Sequence, residues 1–93
     1  MKTLKVELFG SARRLAKTKE VEVEIGDEET YRDLAAALAE RFPAYLGQIV
    51  EPETYDLIEP YFFNVDAKRV VRDLEEVPEA DKPILLFFVD AGG

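Results

Sequence analysis

Polar and apolar residues alternate from the first turn of the chain. Leu4, Val6 and Leu8 share one parity and Lys5 and Glu7 the other, which predicts a strand over Lys2 to Phe9 with one wet side. Glu20 to Ile25 repeats the pattern more strictly, with Val21, Val23 and Ile25 inward and Glu20, Glu22 and Glu24 outward. The three carboxylates read as a solvated face and a charged guard against edge pairing. Gly10 to Lys19 is too long for a tight turn and predicts a helical turn over Ala12 to Ala16.

The period then changes. Tyr31, Leu34, Ala35, Leu38 and Phe42 recur at spacings of three and four, which predicts a helix with one apolar stripe. Thr30 is its N-cap, Asp33 completes a capping box, and Pro43 stops it. Ala44 to Pro60 has no clear period; Tyr45, Leu46, Ile49 and Val50 predict a short second helix, with Pro52 and Pro60 bracketing an irregular connection. Tyr61 to Val65 reads as a strand, followed by a turn at Asp66-Ala67, a short strand around Arg69 to Val71 and an acidic loop from Asp73 to Lys82. Ile84 to Val89 is a continuous apolar run, the mark of a central strand contacted on both faces.

This order predicts an α+β roll: a mixed sheet of about five strands with one main helix on one face. Setting the last strand parallel to the first gives the β-grasp (ubiquitin-like) arrangement. With 93 residues the expectation is one domain, 1–93, ending in a mobile tail at 90–93. Hydrophobic content of 47% beside 34% charged residues excludes both a disordered tail and a membrane-embedded chain. Met1-Lys2-Thr3 leads straight into alternating sequence, so the expected location is cytoplasmic. Cysteine and histidine are absent, which removes thiolate nucleophiles, disulfides, Cys/His zinc sites and His-based triads; no metal site is expected. A net charge of −8 argues against nucleic acid, since phosphate binding needs a basic face.

Chemistry is expected at the tail. The last strand runs into Asp90-Ala91-Gly92-Gly93. Four extended residues span up to ~14 Å, and glycine, lacking Cβ, can thread a narrow channel. The reactive group is then the α-carboxylate of Gly93, ionised at neutral pH and able to attack a nucleotide α-phosphate to give an acyl-adenylate. A frayed terminus or a cloning remnant is the bland alternative, and it loses weight because the glycines follow a β-grasp pattern and a central strand with no spacer between strand and tail.

The chain resembles the MoaD/ThiS family of ubiquitin-like sulfur carriers over nearly its whole length. Val6-Glu7-Leu8-Phe9-Gly10-Ser11-Ala12-Arg13-Arg14-Leu15-Ala16-Lys17 is similar to the MoaD-type start, keeping Arg13 and Leu15 and departing at Arg14 and Lys17. Thr30 to Leu34 and Leu38 to Pro43 resemble that family's central helix and proline stop, whereas Ile84 to Gly93 looks more like a ThiS ending. The resemblance implies a protein co-substrate rather than an enzyme. Gly93 would be adenylated by a MoeB/ThiF-like enzyme at the expense of ATP and converted by a sulfurtransferase to a thiocarboxylate, with no tightly bound cofactor. The acceptor would be the large subunit of molybdopterin synthase, or the machinery of thiazole synthesis.

Strand parity suggests the docking surface. If Ile84, Leu86 and Phe88 face the helix, Leu85 and Phe87 emerge on the other face, where Phe9 and Phe62 join them. The alternative is that Ala44 to Pro60 folds over this patch. Arg13, Arg14, Lys17 and Lys19 form the densest basic run, a solvated loop or a contact for an acidic partner, with Arg13 the residue singled out. Two other functions stay open: a protein modifier conjugated through Gly93, and a β-grasp binding module with an inert tail.

Overall fold

The computed structural model describes residues 1–89. Strands β1 (Lys2–Leu8) and β2 (Glu20–Ile25) form an antiparallel hairpin in which Leu4 lies opposite Val23 and Val6 opposite Val21. All four side chains are buried, so the alternation seen in the sequence is the pleat of this hairpin. Between them, α1 (Gly10–Ala16) starts two residues earlier than predicted and closes at Lys17, whose left-handed backbone lets its N–H reach the Arg13 carbonyl.

Helix α2 (Tyr31–Arg41) carries the predicted capping box: Thr30 Oγ1 accepts the Asp33 N–H, and Asp33 Oδ2 accepts the Thr30 N–H at 2.9 Å. The acidic loop completes the cap, because the N–H groups of Tyr31 and Arg32 donate to the carbonyls of Glu76 and Leu74. Tyr31, Leu34, Ala35, Leu38 and Ala39 are buried against the sheet, while Phe42 is only partly buried.

No second helix forms between Ala44 and Pro60. Helix α2 ends at Arg41 with Phe42 as its C-cap, so Pro43 stops it as expected, and a single 3₁₀ turn (Pro43–Tyr45) follows. The Tyr45 carbonyl then accepts three N–H groups, from Gln48, Ile49 and Val50, and Gly47 sits at φ +84°. Gathering these donors on one acceptor coils the chain instead of extending an i→i−4 ladder. Tyr45, Ile49 and Val50 are buried but Leu46 is 42% exposed, which breaks the expected stripe. The segment packs on the α2 side of the molecule: Tyr45 Oη donates to the Ala12 carbonyl at 2.7 Å, and Arg32 of α2 bonds the Thr54 carbonyl and Asp56.

Strands β3 (Tyr61–Val65) and β4 (Arg69–Val70) form a hairpin joined by the three residues Asp66, Ala67 and Lys68; Asp66 and Ala67 have positive φ, and the Lys68 N–H donates to the Val65 carbonyl. Val71 lies just past β4, its N–H donating to the Phe63 carbonyl. Strand β5 (Ile84–Phe88) is central: the sheet order is β2-β1-β5-β3-β4, with β5 parallel to β1 and antiparallel to β3. The expected α+β roll is therefore present, with five strands and the main helix on one face. Among the described residues, no helix is long and apolar enough to cross a membrane.

Candidate functional site

The sheet face away from α2 is decided by the register of β5. Ile84 and Leu86 point into the core, and the partners of Leu86 are Leu8 and Phe63, all buried. Leu85 and Phe87 consequently point outward, with Phe62 opposite Phe87, and Glu7 and Asn64 flanking Leu85. Phe9, one residue past β1, keeps an extended backbone and continues the outward parity.

Phe87 is the centre of this face. The rings of Phe9 and Phe62 stand edge-on to it at centroid distances of 5.1 and 6.0 Å, each nearly perpendicular. It is nevertheless 38% exposed, and Phe9, Phe62 and Leu85 are half-buried. The four residues that parity singled out are thus brought together, and the 44–60 segment does not cover them. Arg13 borders the patch: its Nε donates to the Leu8 carbonyl at 3.0 Å, and its guanidinium stands 5.4 Å from the Phe9 ring centre. In this fold Arg13 fixes the β1–α1 turn while presenting a cation at the rim.

Phe88 departs from expectation. It has inward parity, but it lies at the end of the strand beneath α1, not α2, and is only half-buried. Its ring packs on Tyr61 at 5.7 Å and fills the space beside Gly10, where a Cβ would come within 2.5 Å of Phe88 Cε1. Gly10 has φ +60°, so both the backbone and the close approach call for glycine. Tyr61 Oη accepts the Ala12 N–H and donates to the Phe9 carbonyl. Gly10, Tyr61 and Phe88 together anchor the point from which the chain leaves β5 through Val89, itself 58% exposed. Asp90, Ala91, Gly92 and Gly93 lie outside the described residues.

Sequence reasoning missed one residue of the outward face. Asn64 Oδ1 is buried without a hydrogen-bond partner among the described residues, on the strand position flanked by Leu85 and Val70. The signal was present as the single polar residue in Tyr-Phe-Phe-Asn-Val. Among the described residues, no three carboxylate side chains are grouped to hold a metal ion.

No known family profile matches the chain, and no curated protein sequence does. Solved structures match it from end to end. The small archaeal modifier protein SAMP1 from Haloferax volcanii superposes with a TM-score of 0.81 at 21% identity, covering 98% of this chain and 99% of its own. SAMP1 from Methanosarcina acetivorans gives 0.77 at 24% identity, covering 100% and 98%. A Pyrococcus furiosus protein described as a candidate molybdopterin converting factor, subunit 1, gives 0.74 at 23% identity, covering 95% and 98%. The chain has the ubiquitin-like β-grasp fold. The likeness to MoaD-type proteins read from the sequence is borne out at the level of that fold, which these identities establish without fixing a function. What this ubiquitin-like chain offers chemically is an aromatic surface beside the point where the chain leaves β5.

Proposed function

We infer that this protein is a ubiquitin-like carrier that works in the cytoplasm through the α-carboxylate of Gly93. A MoeB/ThiF-like enzyme adenylates that group: a carboxylate oxygen attacks the α-phosphorus of ATP and pyrophosphate leaves. A sulfide-level nucleophile delivered by a sulfurtransferase then attacks the acyl carbon and expels AMP, leaving a thiocarboxylate. Splitting the exchange this way replaces a poor leaving group by a good one. Catalysis resides in the partners, and the chain acts as co-substrate. The acceptor we favour is a molybdopterin synthase large subunit, with thiazole synthesis as the alternative acceptor.

The observation that carries this reading is the position of the aromatic patch. Phe87 lies on the central strand, three residues before Asp90-Ala91-Gly92-Gly93, so a partner that docks on Phe9, Phe62, Leu85 and Phe87 meets the tail at the same time. An acidic group on that partner would meet the exposed Arg13 at the rim. The end-to-end fit to the Pyrococcus furiosus protein supports the carrier reading. The equally complete fit to two modifier proteins supports a second one, in which a substrate lysine attacks the activated Gly93 to form an isopeptide bond.

Intact mass of protein purified from its own cells tests the choice. The carrier reading expects a hydrolysable species with one oxygen replaced by sulfur at Gly93. Recovery only as lysine conjugates would favour the modifier, and full adenylation of a chain lacking Gly93 would overturn both.

A further inference from the structure

The sheet has two edges, and they are unlike. On the β4 side the edge is two residues long; on the β2 side it is the six residues Glu20–Ile25. Two side-chain contacts show which backbone groups face outward from β2. Arg41 Nη1 reaches the Glu22 carbonyl at 3.3 Å, and Thr18 Oγ1 reaches the Glu20 carbonyl at 3.1 Å. Since N–H and C=O of one residue point to the same side of an antiparallel strand, the N–H groups of Glu20, Glu22 and Glu24 all face the open edge. A surface hollow runs along this edge, lined by Thr18, Glu22, Glu24, Arg41 and Phe42 among others.

The geometry points to a binding site for an extended segment of a partner protein carrying lysine or arginine at alternate positions, which would add as a sixth strand beside β2. The backbone supplies the ladder, and the side chains supply the choice of occupant. On the outer face the added strand would set its alternate residues next to Glu20, Glu22 and Glu24. Glu20 is paired with Lys5 at 3.2 Å, whereas Glu22 and Glu24 make no ion pair among the described residues. A second copy of this chain would bring glutamates against glutamates, with a net charge of −8 on each. The acidic row that rejects self-pairing is thus complementary to a basic strand. Arg41 holds the one acceptor such a strand would need at Glu22, through an exposed contact that must swing aside. The site lies across β1 from Phe87 and is independent of any chemistry at Gly93.

The probe is a seven-residue peptide alternating valine and lysine, titrated into the full chain while backbone amide shifts and exchange are followed. Expected are slowed exchange at the amides of Glu22 and Glu24, and weaker binding by a same-composition peptide with its lysines grouped. Replacing Glu22 and Glu24 together by glutamine should weaken binding by roughly tenfold, from cross-strand pairs alone. Arg41→Ala should strengthen it by freeing the Glu22 carbonyl and removing a like charge. Equal binding of both peptides, or shifts confined to side chains with no amide protection, would reduce the effect to charge attraction and overturn the site. Protection that rises with protein concentration before any peptide is added would assign the edge to a second copy and overturn it too.

Discussion

Gly10→Ala is the most demanding test of the arrangement at the root of the tail. Two costs meet there. A side chain at φ +60° is disfavoured by roughly 1–2 kcal/mol relative to glycine. The new methyl would also lie 2.5 Å from Phe88 Cε1 and 3.0 Å from Tyr61 Oη. The Phe88 ring has little freedom to retreat, because Tyr61 and Phe87 flank it at centroid distances of 5.7 and 5.8 Å. Forcing it aside is an overpacking cost of about 1–3 kcal/mol, so the substitution should remove around 3 kcal/mol in all. Urea unfolding followed by circular dichroism measures this, with an unchanged m-value as the check that compactness is preserved. The clash is separable from the backbone cost by a double-mutant cycle. In a Phe88→Ala background the same substitution should cost only the backbone part, giving a coupling of about 1–3 kcal/mol. A Gly10→Ala variant within 0.5 kcal/mol of the parent (roughly the noise of surface substitutions), or strictly additive effects, would refute the picture of Phe88 locked over Gly10.

Three further outcomes are expected. Phe63→Ala, fully buried opposite Leu86, should cost about 3–5 kcal/mol in urea unfolding, and Phe87→Ala only about 1–2 kcal/mol because its ring is already partly wet, while losing partner affinity by roughly tenfold or more in titration calorimetry. Tyr45→Phe removes the donor to the Ala12 carbonyl and should cost about 1–2 kcal/mol; burial holds the Tyr45 hydroxyl well above the usual tyrosine range, so the unfolded chain loses that proton first and stability should fall as pH rises above about 10, a slope that Tyr45→Phe flattens in alkaline melts. Arg32→Ala should speed amide exchange at Glu51, Tyr55 and Glu76; hydrogen bonding to Arg32 holds the Asp56 carboxyl below its usual range, so the parent's protection of these amides should fade as acid protonates Asp56, while the variant's is lower at the outset and less pH-dependent.

Period and capping made the two hairpin strands, α2 and the central strand legible, because each is a local pattern that the tertiary structure reinforces. The central placement of β5 followed from its continuous apolar run, although Phe87 on its outer face is partly wet; the parallel direction came from the β-grasp arrangement and not from the run itself. The 44–60 segment was not legible, since its organisation depends on one tyrosine: Tyr45 anchors to α1 through its hydroxyl and gathers three amides on its carbonyl. No periodic pattern encodes that. Parity also placed Phe88 correctly but misjudged its burial, because parity gives a direction and not the length of the element overhead. The outward patch was readable as four residues of one parity; Asn64 at its edge was visible only once its neighbours were known.

The central position of β5 has a consequence for how the molecule assembles. β1–β2 and β3–β4 are each local hairpins, able to form from neighbouring sequence, yet no strand of one pairs with a strand of the other. Only β5 joins them, pairing Val6 with Ile84 and Phe63 with Leu86. Closing so long a loop must precede the reward of those contacts, which makes β5 insertion the expected slow step. Until it happens, β1 and β3 each leave one side unpaired, and afterwards the open edges are β2 and β4 alone. The residues that carry the tail are therefore the ones whose insertion completes the sheet, so an enzyme that recognises Phe9, Phe62 and Phe87 as one surface would engage only chains that have finished folding.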